Sequence, residues 1–144
     1  MKTSQIGVSL IKHFEGFKSK PYLCPAGIPT IGYGTTIRKI GSRVKLTDRP
    51  ISEKEATELL QSTLITYENM VIRKLKRQVK QNEFDALVCF VYNCGISQTL
   101  FEMVNSNNPL LKTWWTSHYI TGGGKILKGL IERRKAEAKL YFTK

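Results

Sequence analysis

Apolar residues along this chain keep a helical period, lose it, and then recover it. Ile6, Leu10, Ile11 and Phe14 share one helical face, so an amphipathic helix is predicted to open the chain. Thr3 or Ser4 can cap its start and Gly16 its end. Between residues 17 and 46 the period is gone. Pro21, Gly27, Pro29, Gly32, Gly34 and Gly41 break any helix there. Short strands are predicted over 22–24 and 30–33, turned by Pro25-Ala26-Gly27. A second hairpin is predicted to pair 36–40 with 44–46 through Gly41-Ser42.

Helical spacing returns at Ser52-Glu53-Lys54-Glu55, which reads as a capping box. Ala56, Leu59, Leu60, Leu64, Tyr67, Val71 and Leu75 form one stripe, so a helix is predicted to run to about residue 75 as a spine between two lobes. A basic cluster follows: Arg73, Lys74, Lys76, Arg77 and Lys80 suit either a solvated helix end or a polyanion contact. Residues 81–94 are apolar on most sides and read as the core helix of the second lobe, ended by Gly95. Ser97 can cap a short helix through residue 104. Asn108-Pro109 is predicted to start the next, with Pro109 in its first turn and Trp114, Trp115 and Tyr119 within it. Gly122-Gly123-Gly124 reads as a flexible break before a last helix over 130–142.

A chain of 144 residues suits one domain or two small lobes and buries enough surface to need no covalent staple. Its 23 Lys and Arg against 11 Asp and Glu give a net charge of +12, which draws it to polyanions without choosing among them. Three cysteines, Cys24, Cys89 and Cys94, make no even disulfide framework and fit a reducing compartment. His13 and His118 are isolated, so no metal site is expected. No apolar run is long enough to span a bilayer or to serve as a signal peptide, so export of the chain by its own sequence is not expected.

The candidate chemistry sits early in the chain. Glu15 falls in the last turn of the first helix, at the negative end of the helix dipole, a place that suits a proton donor. Eight residues separate it from Cys24, and five separate Cys24 from Thr30. Glycoside hydrolysis needs a proton donor for the leaving oxygen and a means of directing water at the anomeric carbon. Glu15 can be the donor, while Cys24 and Thr30 on facing strands can hold the water.

At these residues the chain resembles the phage-type lysozymes, glycoside hydrolase family 24, which act as endolysins. The resemblance rests on Glu-x8-Cys-x5-Thr followed by Ile-Gly-Tyr-Gly. It continues in QNEFDALVCFVYNCG and in GGGKILKGLIERRKAE, and so spans residues 6 to 142. It implies a small β-containing lobe and a helical lobe joined by a long helix, with substrate in the cleft between them. It implies Glu15 as general acid and Thr30 as the hydroxyl that holds the attacking water. Cys24 matches a position that is Asp in many members and Cys in others. Arg133 or Arg134 matches an arginine near the catalytic Glu, and Tyr22, Gly32 and Asn93 match cleft-lining positions; these five form the implied substrate-binding set. Two departures stand out: Thr35 occupies a position that is His in many members, and Cys24 leaves one carboxylate in the triad.

The expectation is therefore an α+β, lysozyme-like chain, with 1–144 a single catalytic domain whose lobes are roughly 12–60 and 1–11 plus 75–144. The expected activity is a muramidase cleaving the β-1,4 bond between N-acetylmuramic acid and N-acetylglucosamine, without a cofactor. The alternatives are a lytic transglycosylase and a cationic membrane-active protein. The expected partners are peptidoglycan and, through the basic C-terminal helix, an anionic outer-membrane surface, with no nucleic acid and a monomeric state. The resemblance implies a wait in the host cytoplasm until a phage holin opens the way to the periplasm and cell wall.

Overall fold

Helical periodicity becomes helix almost wherever it occurs. The computed structural model describes residues 1–39 and 42–144. In chain order the elements are α1 (Gln5–Glu15), β1 (Lys18–Leu23), β2 (Pro29–Gly32), β3 (Ile37–Lys39), β4 (Ser42–Arg43), α2 (Glu53–Lys74), α3 (Gln81–Cys94), α4 (Gln98–Asn105), α5 (Leu111–Ser117), β5 (Thr121–Gly122), β6 (Lys125–Ile126) and α6 (Lys128–Tyr141). The class is α+β, with three antiparallel sheets of two strands each among the described residues. The chain divides into two compact units, Val8–Ile65 and the combination of Met1–Gly7 with Thr66–Lys144.

The Val8–Ile65 unit holds all the β-structure of the first half. Helix α1 stops at Gly16, whose φ of 72° suits glycine and whose N–H donates to Lys12 O at 3.0 Å. The buried stripe of α1 is Gly7, Val8 and Ile11, one position round from the expected face, and Ile6 is 67% exposed. The shift comes from a contact distant in sequence: a Cβ on Gly7 would come within 2.8 Å of the Asp85 side chain, so the closest packing is centred on Gly7. Strands β1 and β2 pair with Tyr22 opposite Thr30 and Leu23 opposite Pro29. Strand β1 starts earlier than expected, and a register shift between Lys18 and Tyr22 accommodates the extra length. In the second hairpin β3 pairs with β4, and the Val44 N–H donates to Thr36 O at 2.8 Å. The expected strand over 44–46 is thus replaced by Ser42–Arg43, and Ile40 of the expected first strand and Gly41 of the expected turn lie outside the described residues.

At the start of α2, Ser52 Oγ accepts from the Glu55 N–H at 3.1 Å. The reciprocal half of the expected capping box is absent, because the Glu55 carboxylate pairs with Arg49 at 3.2 Å. Glu53 instead organises the neighbourhood: it pairs with Lys12 at 2.6 Å and accepts from the Tyr33 hydroxyl at 2.8 Å.

The other unit is a helical core. Helix α3 buries Phe84 through Val91 without a break, and α6 packs against α3 and α5. Phe90 meets Trp115 edge to face at 5.8 Å. Asp85 accepts from the Ser4 N–H, the Ser4 hydroxyl and Gln81, so the N-terminal residues are tied to α3. Ser97 Oγ caps α4 by accepting from the Leu100 N–H at 3.2 Å. Three expectations change here. Helix α5 starts at Leu111, because the Asn108 side chain turns on the Leu110 N–H and leaves Pro109 in a turn, and Tyr119 lies beyond the helix end. The three glycines form a tight hairpin: β5 pairs with β6 around Gly123 and Gly124, whose φ values of 58° and 78° suit a two-residue turn. The C-terminal helix does not carry all its charge outward. Arg133, Arg134 and Glu137 are buried with Ala138 and Tyr141, whereas Ile126, Leu127 and Phe142 are exposed.

Candidate active site

The site is built on one hairpin and one helix end of the Val8–Ile65 unit. Gly16 stops α1, which leaves Glu15 half-buried in its last turn. Tyr22 on β1 and Thr30 on β2 face each other across the pair. Cys24 opens the turn: its N–H donates to Ile28 O at 3.1 Å, and its carbonyl accepts from the Gly27 N–H at 2.8 Å. That turn also aims backbone N–H groups at the sulfur. Those of Ile28 and Ala26, in that order, hold the half-exposed Cys24 thiol below the usual cysteine value and favour thiolate. Burial, and then the nearby charges of Glu15 and Cys24, push the Tyr22 phenol up. Tyr22 therefore feels both groups, and Glu15, Tyr22, Cys24 and Thr30 belong to one electrostatic neighbourhood.

Thr30 is buried, and its hydroxyl donates to Ile28 O at 2.8 Å. The same hydroxyl also helps to hold the Cys24 thiol down, after the backbone groups of Ile28 and Ala26, and its oxygen keeps lone pairs for a further donor. Gly32, two residues on, is buried with φ 69°, and an added Cβ would lie 3.1 Å from Ala56 Cβ. Its lack of a side chain serves the approach to α2. Asn93, Arg133 and Arg134 belong to the other unit, around Glu137. Arg134 donates to both Glu137 oxygens at 2.7 Å and to Asn93 Oδ1 at 2.8 Å, and Arg133 reaches Glu137 at 3.3 Å. The Trp115 indole N–H also donates to Glu137, at 3.1 Å.

Sequence reasoning missed Glu137, although its spacing of three and four from the two arginines is a helical ion-pair signal. It also missed the Lys12–Glu53–Tyr33 cluster. Lys12 sits one turn before Glu15, with its ammonium 5.3 Å from the Tyr33 ring centre. No local pattern announces a contact between residues that far apart in sequence. Among the described residues no group of three or more His, Cys, Asp or Glu is placed to hold a metal ion.

The Val8–Ile65 unit thus carries a carboxyl at a helix end and a thiol and a hydroxyl on the hairpin that follows it. Residues 12–137 match the family model described as phage lysozyme, and the chain belongs to that family. An endolysin of Bacillus phage B103 is 37% identical over 152 residues, a match covering 99% of this chain and 55% of that protein. The chain thus spans about half the length of the curated Bacillus phage relatives it matches, 55% for a second one as well. Among solved structures, an endolysin from the Escherichia coli O157:H7 phage FAHEc1 is 38% identical with a TM-score of 0.83, covering 99% of this chain and 94% of that one. The muramidase domain of SpmX from Asticaccaulis excentricus is 31% identical with a TM-score of 0.79, covering 99% of both chains.

Proposed function

We propose that this chain is a muramidase that hydrolyses the β-1,4 bond between N-acetylmuramic acid and N-acetylglucosamine in bacterial peptidoglycan. The observation that carries the reading is the shared neighbourhood of Glu15, Cys24 and Thr30 around Tyr22, on a chain of the phage lysozyme family. Glu15 donates its proton to the glycosidic oxygen as the C1–O bond breaks. A water held by the Thr30 oxygen and the Cys24 sulfur attacks C1 from the opposite face, and its proton passes to the Cys24 thiolate. Such a displacement inverts the anomeric centre. Thiolate character at Cys24 supports this role, because a neutral thiol is a poor acceptor for that proton.

Tyr22 is placed to line the sugar site, and of the other residues that the family resemblance suggests for substrate binding Asn93 is exposed, whereas Gly32 lies against Ala56 and Arg133 and Arg134 are buried on Glu137, so those three serve the fold and do not touch the sugar. Mass spectrometry of digested sacculi tests the chemistry. Reducing ends are the expected product, whereas 1,6-anhydro ends make the chain a lytic transglycosylase.

The working location under this reading is the cell wall, reached from the host cytoplasm after a phage holin opens the membrane. Expression without a holin should leave cells intact until the membrane is permeabilised, and prompt lysis would overturn that route. No helix among the described residues is long and apolar enough to cross a membrane. The same reading gives the C-terminal helix a second contact, an anionic outer-membrane surface. Burial of Arg133 and Arg134 removes them from that contact and leaves Lys128, Lys135 and Lys139 exposed. Lys135 and Lys139 line a groove with Lys112 and the exposed ring of Phe142. Replacing Lys128, Lys135 and Lys139 with Glu should weaken binding to vesicles of phosphatidylglycerol and phosphatidylcholine at low salt. Unchanged binding would remove the helix from that role.

A further inference from the structure

The basic cluster at the end of α2 and just beyond it has no part in the hydrolysis. Four of its five members divide in two, and the fifth, Lys80, stands at the start of α3. Arg77 is turned inward, with its guanidinium on the Val104 carbonyl, the Glu83 carboxylate and the Tyr141 hydroxyl. Arg73, Lys74 and Lys76 stay exposed and, among the described residues, have no carboxylate within ion-pair distance. Lys12, Arg38 and Arg49 in the Val8–Ile65 unit, by contrast, each hold a carboxylate.

These three cations form one wall of a cleft of about 480 Å³, and α4 supplies the other through Phe101, Glu102 and Asn105. The two walls are fixed to each other by the Asn105 amide. Its Oδ1 accepts from the Lys76 N–H at 2.8 Å, and its Nδ2 donates to Lys74 O at 3.0 Å. The cleft is therefore a braced feature and not a loose helix end. Glu102, the one carboxylate in its wall, accepts from Gln98 at 3.2 Å.

We propose that this cleft binds a phosphodiester-linked polymer of the bacterial envelope and holds the enzyme near its wall substrate. Three cations along one rim match a chain of repeated fixed charges better than a single anion. A concave site also fits a strand better than a flat bilayer. Single-stranded nucleic acid carries the same charges but is held in large part by stacking its bases on aromatic faces. The aromatic residue in this cleft, Phe101, is 2% exposed and offers none.

The test uses full-length Glu15→Gln protein, which should bind the polymer as wild type does while hydrolysis is disabled. Its two outcomes keep this site separate from the catalytic reading. The probe is soluble poly(glycerol phosphate), titrated at several salt concentrations. In that background Arg73→Gln with Lys74→Gln and Lys76→Gln should weaken binding at least tenfold. It should also lower the log–log salt slope by about two, at about 0.7 per lost phosphate contact. Lys112→Gln with Lys135→Gln and Lys139→Gln carries the same net charge and should weaken it less than threefold. Lys76→Glu alone should weaken it about threefold, which serves if the triple variant melts early. Equal weakening by the two triple variants would mean net charge alone and overturn the site. So would tighter binding of single-stranded DNA than of the polymer, or, in the Arg73, Lys74 and Lys76 triple variant, loss of phosphatidylglycerol vesicle binding with polymer binding kept.

Discussion

The Val8–Ile65 unit pairs its charges at the surface, whereas the unit built from Met1–Gly7 and Thr66–Lys144 adds a fully buried cluster to surface pairs such as Lys128–Glu132. In the first, Lys12–Glu53, Arg38–Asp48 and Arg49–Glu55 pair at the surface, where water screens them. In the second, Arg133, Arg134 and Glu137 pair at side-chain exposures of 4%, 0% and 0%. A surface pair can lose a partner to water at little cost, whereas a buried pair cannot. The first unit can therefore keep a thiol and a carboxyl half-exposed beside the buried Thr30 hydroxyl without endangering the fold. The second concentrates its risk in one cluster beneath α3 and α5. Fold stability and chemistry are thus sensitive to different residues.

The largest effect on stability should come from Glu137→Gln. It leaves two buried guanidinium groups short of a counter-charge and should cost about 3–5 kcal/mol. In a chain of this size that lowers Tm by about 10 °C or more in a thermal melt. A drop of one or two degrees would show that the two units do not differ as described.

Cys24→Ser should do the reverse. Turnover of purified peptidoglycan should fall about tenfold or more, since serine is not an anion near neutral pH, while Tm barely moves. Cys24→Asp should recover part of the rate. A fully active Ser variant would reduce Cys24 to a turn residue.

The thiols give a milder comparison. Backbone N–H groups lower the Cys24 value, whereas burial raises those of Cys89 and Cys94. Because the Cys24 value is depressed, its thiolate persists as pH falls below about 8.5, the ordinary cysteine value, and is lost only at a lower pH. Alkylation by iodoacetamide, followed by peptide mass spectrometry from pH 5 to 9, should label Cys24 first with a midpoint below that value. Faster labelling of Cys94 or Cys89 would contradict this ordering.

The smallest effect concerns Thr35. It is fully buried, and its hydroxyl is the one buried side-chain polar atom among the described residues without a partner. Its backbone is secure, since Thr35 and Ile31 exchange two hydrogen bonds at 2.9 Å. Thr35→Val keeps the shape, removes the orphan group and should stabilise the protein by about 1 kcal/mol. Urea unfolding measures it, and a destabilised variant would mean that the hydroxyl has a function.

What was legible in the sequence followed from local physics. The apolar run at 81–94 and its Gly95 stop define α3 to the residue, and Ser97 caps α4 as its position predicts. The α1–Gly16 stop and the hairpin after it carry Glu15, Cys24 and Thr30 in an order that spacing alone suggested. The failures are non-local. Which face of α1 is buried depends on Asp85, far along the chain, and the partner of Glu55 proved to be Arg49 in place of its own helix start. Gly122-Gly123-Gly124 looked like slack because composition cannot show that Thr121 pairs with Ile126. The resemblance places Arg133 or Arg134 near the catalytic Glu and in the substrate-binding set, but neither it nor a charge count carries their burial on Glu137.

The central claim rests on Glu15 as the proton donor, and turnover by Glu15→Gln tests it most directly. The variant keeps the size and hydrogen-bonding shape of the side chain but has no acidic proton to give. Release of reducing ends from purified sacculi should fall by about 10²- to 10⁴-fold. The thermal melt should stay within about two degrees of wild type, as expected for an isosteric change at a half-buried helix end. A stable Glu15→Gln protein that still releases reducing ends at the wild-type rate would contradict the account.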